Sequence, residues 1–416
     1  MTIPASPRAQ RDDRKALIRI PRSASGSLRR SAVDRTFRGV PEPAGGHKFH
    51  QWILLLAEAW LKWLLEMMRN LPKPRLPLPP LPPGDTGVYP LPDGPFTLGL
   101  AADWGSGSSD AYAVCDALSR MEPDVTVHLG DVYYSGRVDE FADFFLPVDC
   151  WPRGTRGTYL LNGNHEMYSG GEGYFHKALP AYNQQATSYF CLQNKSWRVV
   201  ALDTGYHCSS GVDLLLVKLH LKRDSTKLPA ACVAWLEKVV FADLTDRRPV
   251  ILLTHHQPFS AFKTESVYPE IVSAVAPFLD RIPLWFWGHE HRLALYARHQ
   301  NIRGRCIGHG GIPVELPFPS PDAAVPIVLY DDRPGPNPIG DKQIGLNGFL
   351  VLRFDDAGGL VVRYYDQMSE DEHDFVLEEE WQQGPGGLAG VEARVGPRVV
   401  GRDGLRIGRN LQDLVR

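Results

Sequence analysis

The chain has no C-x-x-C pair among its six cysteines, so neighbouring thiols can build neither a zinc knuckle nor a dithiol redox motif. Cys115, Cys150, Cys191, Cys208, Cys232 and Cys306 are scattered, and the expectation is mostly reduced, buried thiols that pack as small apolar residues. Cys191 with Cys208 is the disulfide to consider in an oxidising compartment. Charge of one sign is also missing. With 45 basic and 48 acidic residues in 416, the net charge is -3, and no overall field draws the protein onto nucleic acid. A clean membrane span is absent as well: Phe49 to Met68 is strongly apolar, yet Glu58, Lys62 and Glu66 recur every four residues within it. A cleaved signal peptide fits poorly, because the basic leader is long and no small-x-small site follows.

These features divide the chain. Residues 1–46, rich in Arg, Ser, Pro and Gly, are expected to be a disordered basic leader. Residues 47–70 should form an amphipathic helix whose charged residues make one polar stripe, suited to docking or to peripheral membrane contact through 49–68. Pro72 to Pro83 alternates proline with Leu, Lys and Arg, which predicts a stiff polyproline II spacer within a linker over 71–87. A main domain over 88–382 and a C-terminal tail over 383–416, or a short added strand pair there, complete the division. The expected location is cytoplasmic, with membrane association through the apolar helix.

From Val88 onward, apolar runs alternate with helical periodicity. Strands are expected at Phe96 to Ala101, Val125 to Leu129, Tyr159 to Leu161, Trp197 to Leu202, Val250 to Leu253, Leu284 to Trp287 and Phe349 to Phe354. Helices are expected at Asp110 to Met121, Pro229 to Leu244 and Tyr268 to Leu279. This is α/β alternation. Five segments end such strands with polar donors: Asp103-Trp104-Gly105, Gly130-Asp131-Val132-Tyr133-Tyr134, Gly163-Asn164-His165-Glu166, His255-His256 and Gly288-His289-Glu290-His291. Carboxylate, phenol, amide and imidazole donors delivered to one sheet edge could hold two cations.

On these motifs the chain resembles the calcineurin-like metallophosphoesterase superfamily, and within it the purple acid phosphatase branch, over roughly residues 96 to 312. The superfamily's D-x-H motif has Gly105 in its third position here, a departure that purple acid phosphatases share and offset with a tyrosine three residues after the second aspartate. Tyr134 occupies that place. The resemblance implies a two-sheet sandwich flanked by helices and a dinuclear centre. Asp103, Tyr134 and His291 would bind the first metal, Asp131 would bridge, and Asn164 and His289 would bind the second. A histidine of the pair completes that second site: His255 directly follows its strand, whereas spacing to Pro258 selects His256. Phenolate is a hard anion, which favours Fe3+ at the first site, with Fe2+, Zn2+ or Mn2+ at the other.

The implied activity is hydrolysis of a phosphorylated small molecule by in-line attack of a metal-bound hydroxide, with Asp131 and His165 catalytic and His165 the general acid. Glu166 is expected to orient the His165 ring. Asn164, His165, His256 and His309 are the expected substrate contacts, and His128 is expected to be structural. Two other readings are a phosphodiesterase or nuclease of the same fold, against which Gly105 argues, and a non-catalytic membrane-tethered adaptor, against which the complete donor set argues. No nucleic-acid partner is indicated.

Overall fold

In the computed structural model, the described residues are 75–416 apart from 220, 263–266, 317, 321–322, 324, 340, 385–386 and 400–404. The leader, the apolar helix and the first residues of the linker lie outside them.

The strands of lowest polarity form the middle of the molecule because both of their faces are covered. Val125–His128, Val250–Thr254 and Leu284–Trp287 are buried at every position, as parallel strands sandwiched between layers must be. Among the described residues there are two sheets. One has seven strands, ordered Gly387–Val395, Leu377–Gly384, Leu360–Asp366, Gly348–Phe354, Phe96–Ala101, Val125–His128 and Gly157–Leu160. The other has nine, ordered Val88–Pro90, Phe190–Gln193, Arg198–Ala201, Val250–Thr254, Leu284–Trp287, Arg303–Ile307, Leu293–Tyr296, Ile327–Asp331 and Leu405–Ile407.

The sheets face each other across one apolar core, in which Leu98, Leu100 and Val127 of the first meet Val199, Ile251 and Phe286 of the second. Helices cover the outer faces. Ser109–Arg120 lays Ala111, Val114 and Leu118 on the seven-stranded sheet, its start fixed by Ser108, whose hydroxyl accepts from Ala111 N at 3.1 Å. The helical turns Ala230–Trp235 and Leu236–Val240, with Pro269–Val275, cover the nine-stranded sheet through Trp235, Leu236, Ile271 and Val275.

A buried polar contact crosses the core. Arg305 donates from Nε and Nη2 to the two carboxylate oxygens of Glu379, each at 2.8 Å, with both residues fully buried. Tyr364 adds its hydroxyl to Glu379 Oε1 at 2.8 Å. The pair ties a strand of one sheet to a strand of the other.

The segment after 382 is not a tail. Gly387–Val395 is an edge strand, Leu405–Ile407 pairs with Ile327–Asp331, and the carbonyl of Arg416 accepts from Arg303 Nη2 at 2.7 Å. The described part of the linker is likewise no free spacer. Arg75 donates to Tyr206 O at 2.5 Å, to Cys208 O and to Ser210 Oγ at 2.7 Å, while Leu76 N donates to Gly170 O at 3.1 Å. Leu76, Leu78 and Leu81 pack on the two outer cores. All six cysteines are free and buried, Cys191 and Cys208 included. No helix among the described residues is long and apolar enough to cross a membrane.

Candidate metal centre

The parallel strands of both sheets run toward the same edge, so their C-terminal ends bring the donors together. Phe96–Ala101 leads to Asp103, Val125–His128 to Asp131, and Gly157–Leu160 to Asn164, the first residue of the short helix Asn164–Tyr168. From the other sheet, Val250–Thr254 delivers His255 and Leu284–Trp287 delivers His289 and His291. Three of these residues hold left-handed backbones: Asp103 at φ 57, Asp131 at φ 70 and His289 at φ 68. Such conformations cost on the order of 1–3 kcal/mol for a residue with a Cβ and persist where surrounding contacts impose them.

The turns that carry them interlock. Asp103 N donates to Gly130 O at 2.9 Å, and His289 N donates to Asp103 Oδ2 at 2.8 Å. A Cβ on Gly163 would lie 2.1 Å from Asp131 Oδ1, so only glycine permits this approach. Glu166, fully buried, accepts from Asp131 N at 3.1 Å, Val132 N at 2.7 Å and Gly163 N at 2.7 Å. It therefore fastens two turns together and does not orient the ring of His165 as expected. That ring is held instead by Nδ1, which donates to Tyr134 O at 2.6 Å.

The donors fall into two groups that share Asp131. In one, Tyr133 stands 2.9 Å from Asp103 Oδ1, 3.0 Å from His291 Nε2 and 3.5 Å from Asp131 Oδ2. In the other, His255 Nε2 is 3.2 Å from Asp131 Oδ2 and 3.1 Å from Asn164 Oδ1, and His289 Nδ1 is 2.8 Å from the same amide oxygen. Atoms that share a cation at about 2.1 Å stand about 3 Å apart along an octahedral edge, which these separations match. The phenol in the cluster is thus Tyr133, not Tyr134. Tyr134 is 37% exposed, and its backbone N–H donates to Glu140 Oε1 at 2.7 Å.

Proton counting also points to a cation. His255 Nδ1 donates to Leu129 O at 2.9 Å, so the neutral ring presents a lone pair at Nε2. Asn164 Nδ2 donates to Tyr168 OH at 2.7 Å, which turns Oδ1 inward. Tyr268 OH donates to Asp224 Oδ2 at 2.8 Å and so accepts from His289 Nε2 at 3.2 Å, which leaves a lone pair at His289 Nδ1. Three lone pairs then converge with no hydrogen between them, an arrangement that a positive ion satisfies.

In the ion-free site, protons take the place of the cation. Burial pushes the Asp103 carboxyl up, and the Asp131 charge adds to this. Burial would also raise Asp131, but the imidazoles of His255 and His165 outweigh it and hold the group well below the usual range. Burial would lower His255, but the Asp131 carboxylate raises it to about 9, so without an ion its Nε2 carries a proton that a cation would displace. Two groups of three potential ligands, Asp103, Asp131 and His255, and His255, His256 and His289, each lie within 4.8 Å of one another.

His256 sits behind the second group, with its Nδ1 3.1 Å from Thr204 Oγ1 and its ring 4.6 Å from that of His289. His309 is not brought to the donors. Its ring lies against Gly348, and only the backbone of Gly308 approaches Asp103, where a Cβ would be 2.9 Å from Oδ2. His128 is buried edge-on between Phe145 and Trp151. The open side of the centre carries His165 and His291, with side chains 19% and 27% exposed.

Sequence reasoning missed Tyr168, Asp224 and Tyr268. Tyr168 follows Asn164 by four residues on one helix, a spacing that signals contact. Asp224 and Tyr268 belong to no motif.

The two-sheet α/β domain thus gathers carboxylates, an amide and imidazoles at its shared strand ends. Residues 96–293 match the model of the calcineurin-like phosphoesterase family. No curated protein matches the chain in sequence. Among solved structures, the chain is similar to a purple acid phosphatase from yellow lupin (Lupinus luteus) seeds at 15% identity and TM-score 0.42, with 67% of this chain and 53% of that one covered. It is similar to a dimetal phosphatase from Danio rerio at 12% identity and TM-score 0.45, with 66% and 96% covered. The anchor GAP50 in the inner membrane complex of Plasmodium gives 10% identity and TM-score 0.44, with 73% and 91% covered. The chain therefore spans about half the length of the lupin enzyme.

Proposed function

We propose that the protein is a dinuclear-metal-dependent phosphoester hydrolase. The family match supports metal-dependent phosphoester hydrolysis in general, and the carrying observation for this chain is that Asp131 lies between two donor groups, each of which draws residues from both sheets. Asp103, Asp131, Tyr133 and His291 would hold one cation, and Asp131, Asn164, His255 and His289 the other. When bound, such a pair neutralises phosphate oxygens and makes an activated water available near neutral pH. The Tyr133 phenol favours a hard trivalent ion, Fe3+, in the first position.

The chain's own residues supply the rest. His165 spends its Nδ1 proton on Tyr134 O, so a proton given to a leaving alkoxide must come from Nε2 of the imidazolium form. Its backbone N–H donates to Asp131 Oδ1 at 2.9 Å, which fixes the ring beside the shared carboxylate without making it a ligand. His291 and His165 flank the open side, where a phosphorylated small molecule would enter. His256, expected from the sequence as a substrate contact, is instead buried behind His289 and held by Thr204, away from the open side.

The test is turnover of p-nitrophenyl phosphate and bis-p-nitrophenyl phosphate by protein reconstituted with defined metals. Hydrolysis that requires two metals per chain supports the reading, and the ratio of the two rates separates monoesterase from diesterase. Full-length protein that binds no metal and turns over neither ester overturns it.

A further inference from the structure

Asp224 lies on the connection between the helices Gly211–Lys218 and Ala230–Trp235, a surface stretch on which Leu219 and Leu221 are 56% and 73% exposed. Its carboxylate turns inward and accepts the hydroxyl proton of Tyr268, which is buried on the other side of the site. The Tyr268 ring packs edge-on to His256, centroids 5.0 Å apart, and its oxygen reaches His289 Nε2. The position of Asp224 is itself secured, because Ser225 N donates to Ser209 Oγ at 3.4 Å and Ser209 Oγ donates to Ser225 O at 3.5 Å.

We propose that Asp224 and Tyr268 are positioning residues for the second cation subsite: a surface-loop carboxylate, acting through a buried phenol, fixes the proton of His289 on Nε2 and so keeps Nδ1 available as a donor. This rests on the dinuclear reading above. The chemistry is one-directional. An ionised carboxylate can only accept, so the phenol must give it the proton and then accept from the imidazole. Without Asp224, the Tyr268 hydroxyl is free to donate to His289 Nε2, which would move the ring proton to Nδ1 and block the donor atom. Neither residue touches the reacting atoms; both act through His289. Partners that orient a metal-binding histidine in this way typically carry about 10- to 100-fold in metal affinity.

The experiment is calorimetric titration of Zn2+ into metal-stripped full-length protein, comparing wild type with Tyr268→Phe and Asp224→Ala, with thermal midpoints recorded in parallel. Wild type should show two binding events. Both variants should keep the affinity of one event and weaken the other by about 10- to 100-fold. Unchanged affinities in Asp224→Ala, or equal weakening of both events, overturns the proposal. Asp224 is on the surface loop, so this variant reports even where Tyr268→Phe lowers the thermal midpoint. If wild type itself binds no Zn2+, the dinuclear reading is what has failed.

Discussion

The Tyr133 hydroxyl donates to Asp103 Oδ1 at 2.9 Å across the junction of two strand-end turns, and it is the phenol that stands among the carboxylates. Burial, followed by the charge of Asp103, raises its pKa well above the usual tyrosine value, so it remains a neutral phenol until a cation displaces the proton. Protein loaded with Fe3+ should show a tyrosinate-to-iron absorption band in the visible region. Tyr133→Phe should abolish the band and Tyr134→Phe should leave it intact. The reverse pattern would return the ligand role to Tyr134.

Asp131 is the only carboxylate placed in both donor groups among the described residues. Asp131→Asn keeps the shape and removes the charge. Metal content by plasma mass spectrometry should fall from two per chain to one or none, with turnover reduced by at least about a hundredfold, as expected when electrostatic stabilisation at a reacting centre is removed.

Glu166 accepts three backbone N–H groups that join the Asp131 turn to the Asn164 turn. In Glu166→Gln, one acceptor oxygen becomes an NH2 that faces those donors. The expected cost is about 2–4 kcal/mol of unfolding free energy, since a buried charge-assisted network is left unsatisfied. Chemical denaturation measures it, and a change under about 0.5 kcal/mol, the range of ordinary surface substitutions, would refute the fastening role.

Removal of one partner from the buried Arg305–Glu379 pair leaves the other charged inside the core. Glu379→Gln is expected to cost about 3–5 kcal/mol. Replacing both residues by apolar ones of similar volume should recover much of that loss, and urea unfolding of the single and double variants distinguishes the two cases.

Asp203 gives a pH signature. Burial raises its pKa from 3.8 to about 6, against hydrogen bonds from Ser188 and from the backbone N–H of Tyr206. The folded state therefore holds this proton more tightly than the unfolded state does. The stabilisation is fully present below about pH 4 and is lost as pH rises through about 6, a change of up to about 3 kcal/mol from this group. Asp203→Asn should flatten the unfolding free energy of metal-stripped protein over that interval.

The layered architecture and most of the donors were legible because the buried strands read as unbroken apolar runs and each donor follows its strand within a few residues. The choice between Tyr133 and Tyr134 was not. Side-chain alternation loses meaning once the chain leaves the strand, and the left-handed turn at Asp131 redirects what comes after it. The strand Gly387–Val395 was obscured for another reason: most of its residues are exposed, so no apolar face marks it, and its place is set by pairing with Leu377–Gly384. Nothing local in the sequence distinguishes Glu379 from its exposed-looking neighbours, although its partner Arg305 lies far along the chain. Asp224 and Tyr268 meet only through tertiary folding.

The clasp made by Arg75 and Leu76 moves the working border of the domain upstream of its first strand, Val88–Pro90. Those two residues hold the turns at Gly170 and at Tyr206 to Ser210 from outside the family-matched region. An expression fragment trimmed to begin at Val88 would keep every proposed metal ligand and still lose the brace on these turns, whereas one that begins a few residues before Arg75 would retain it.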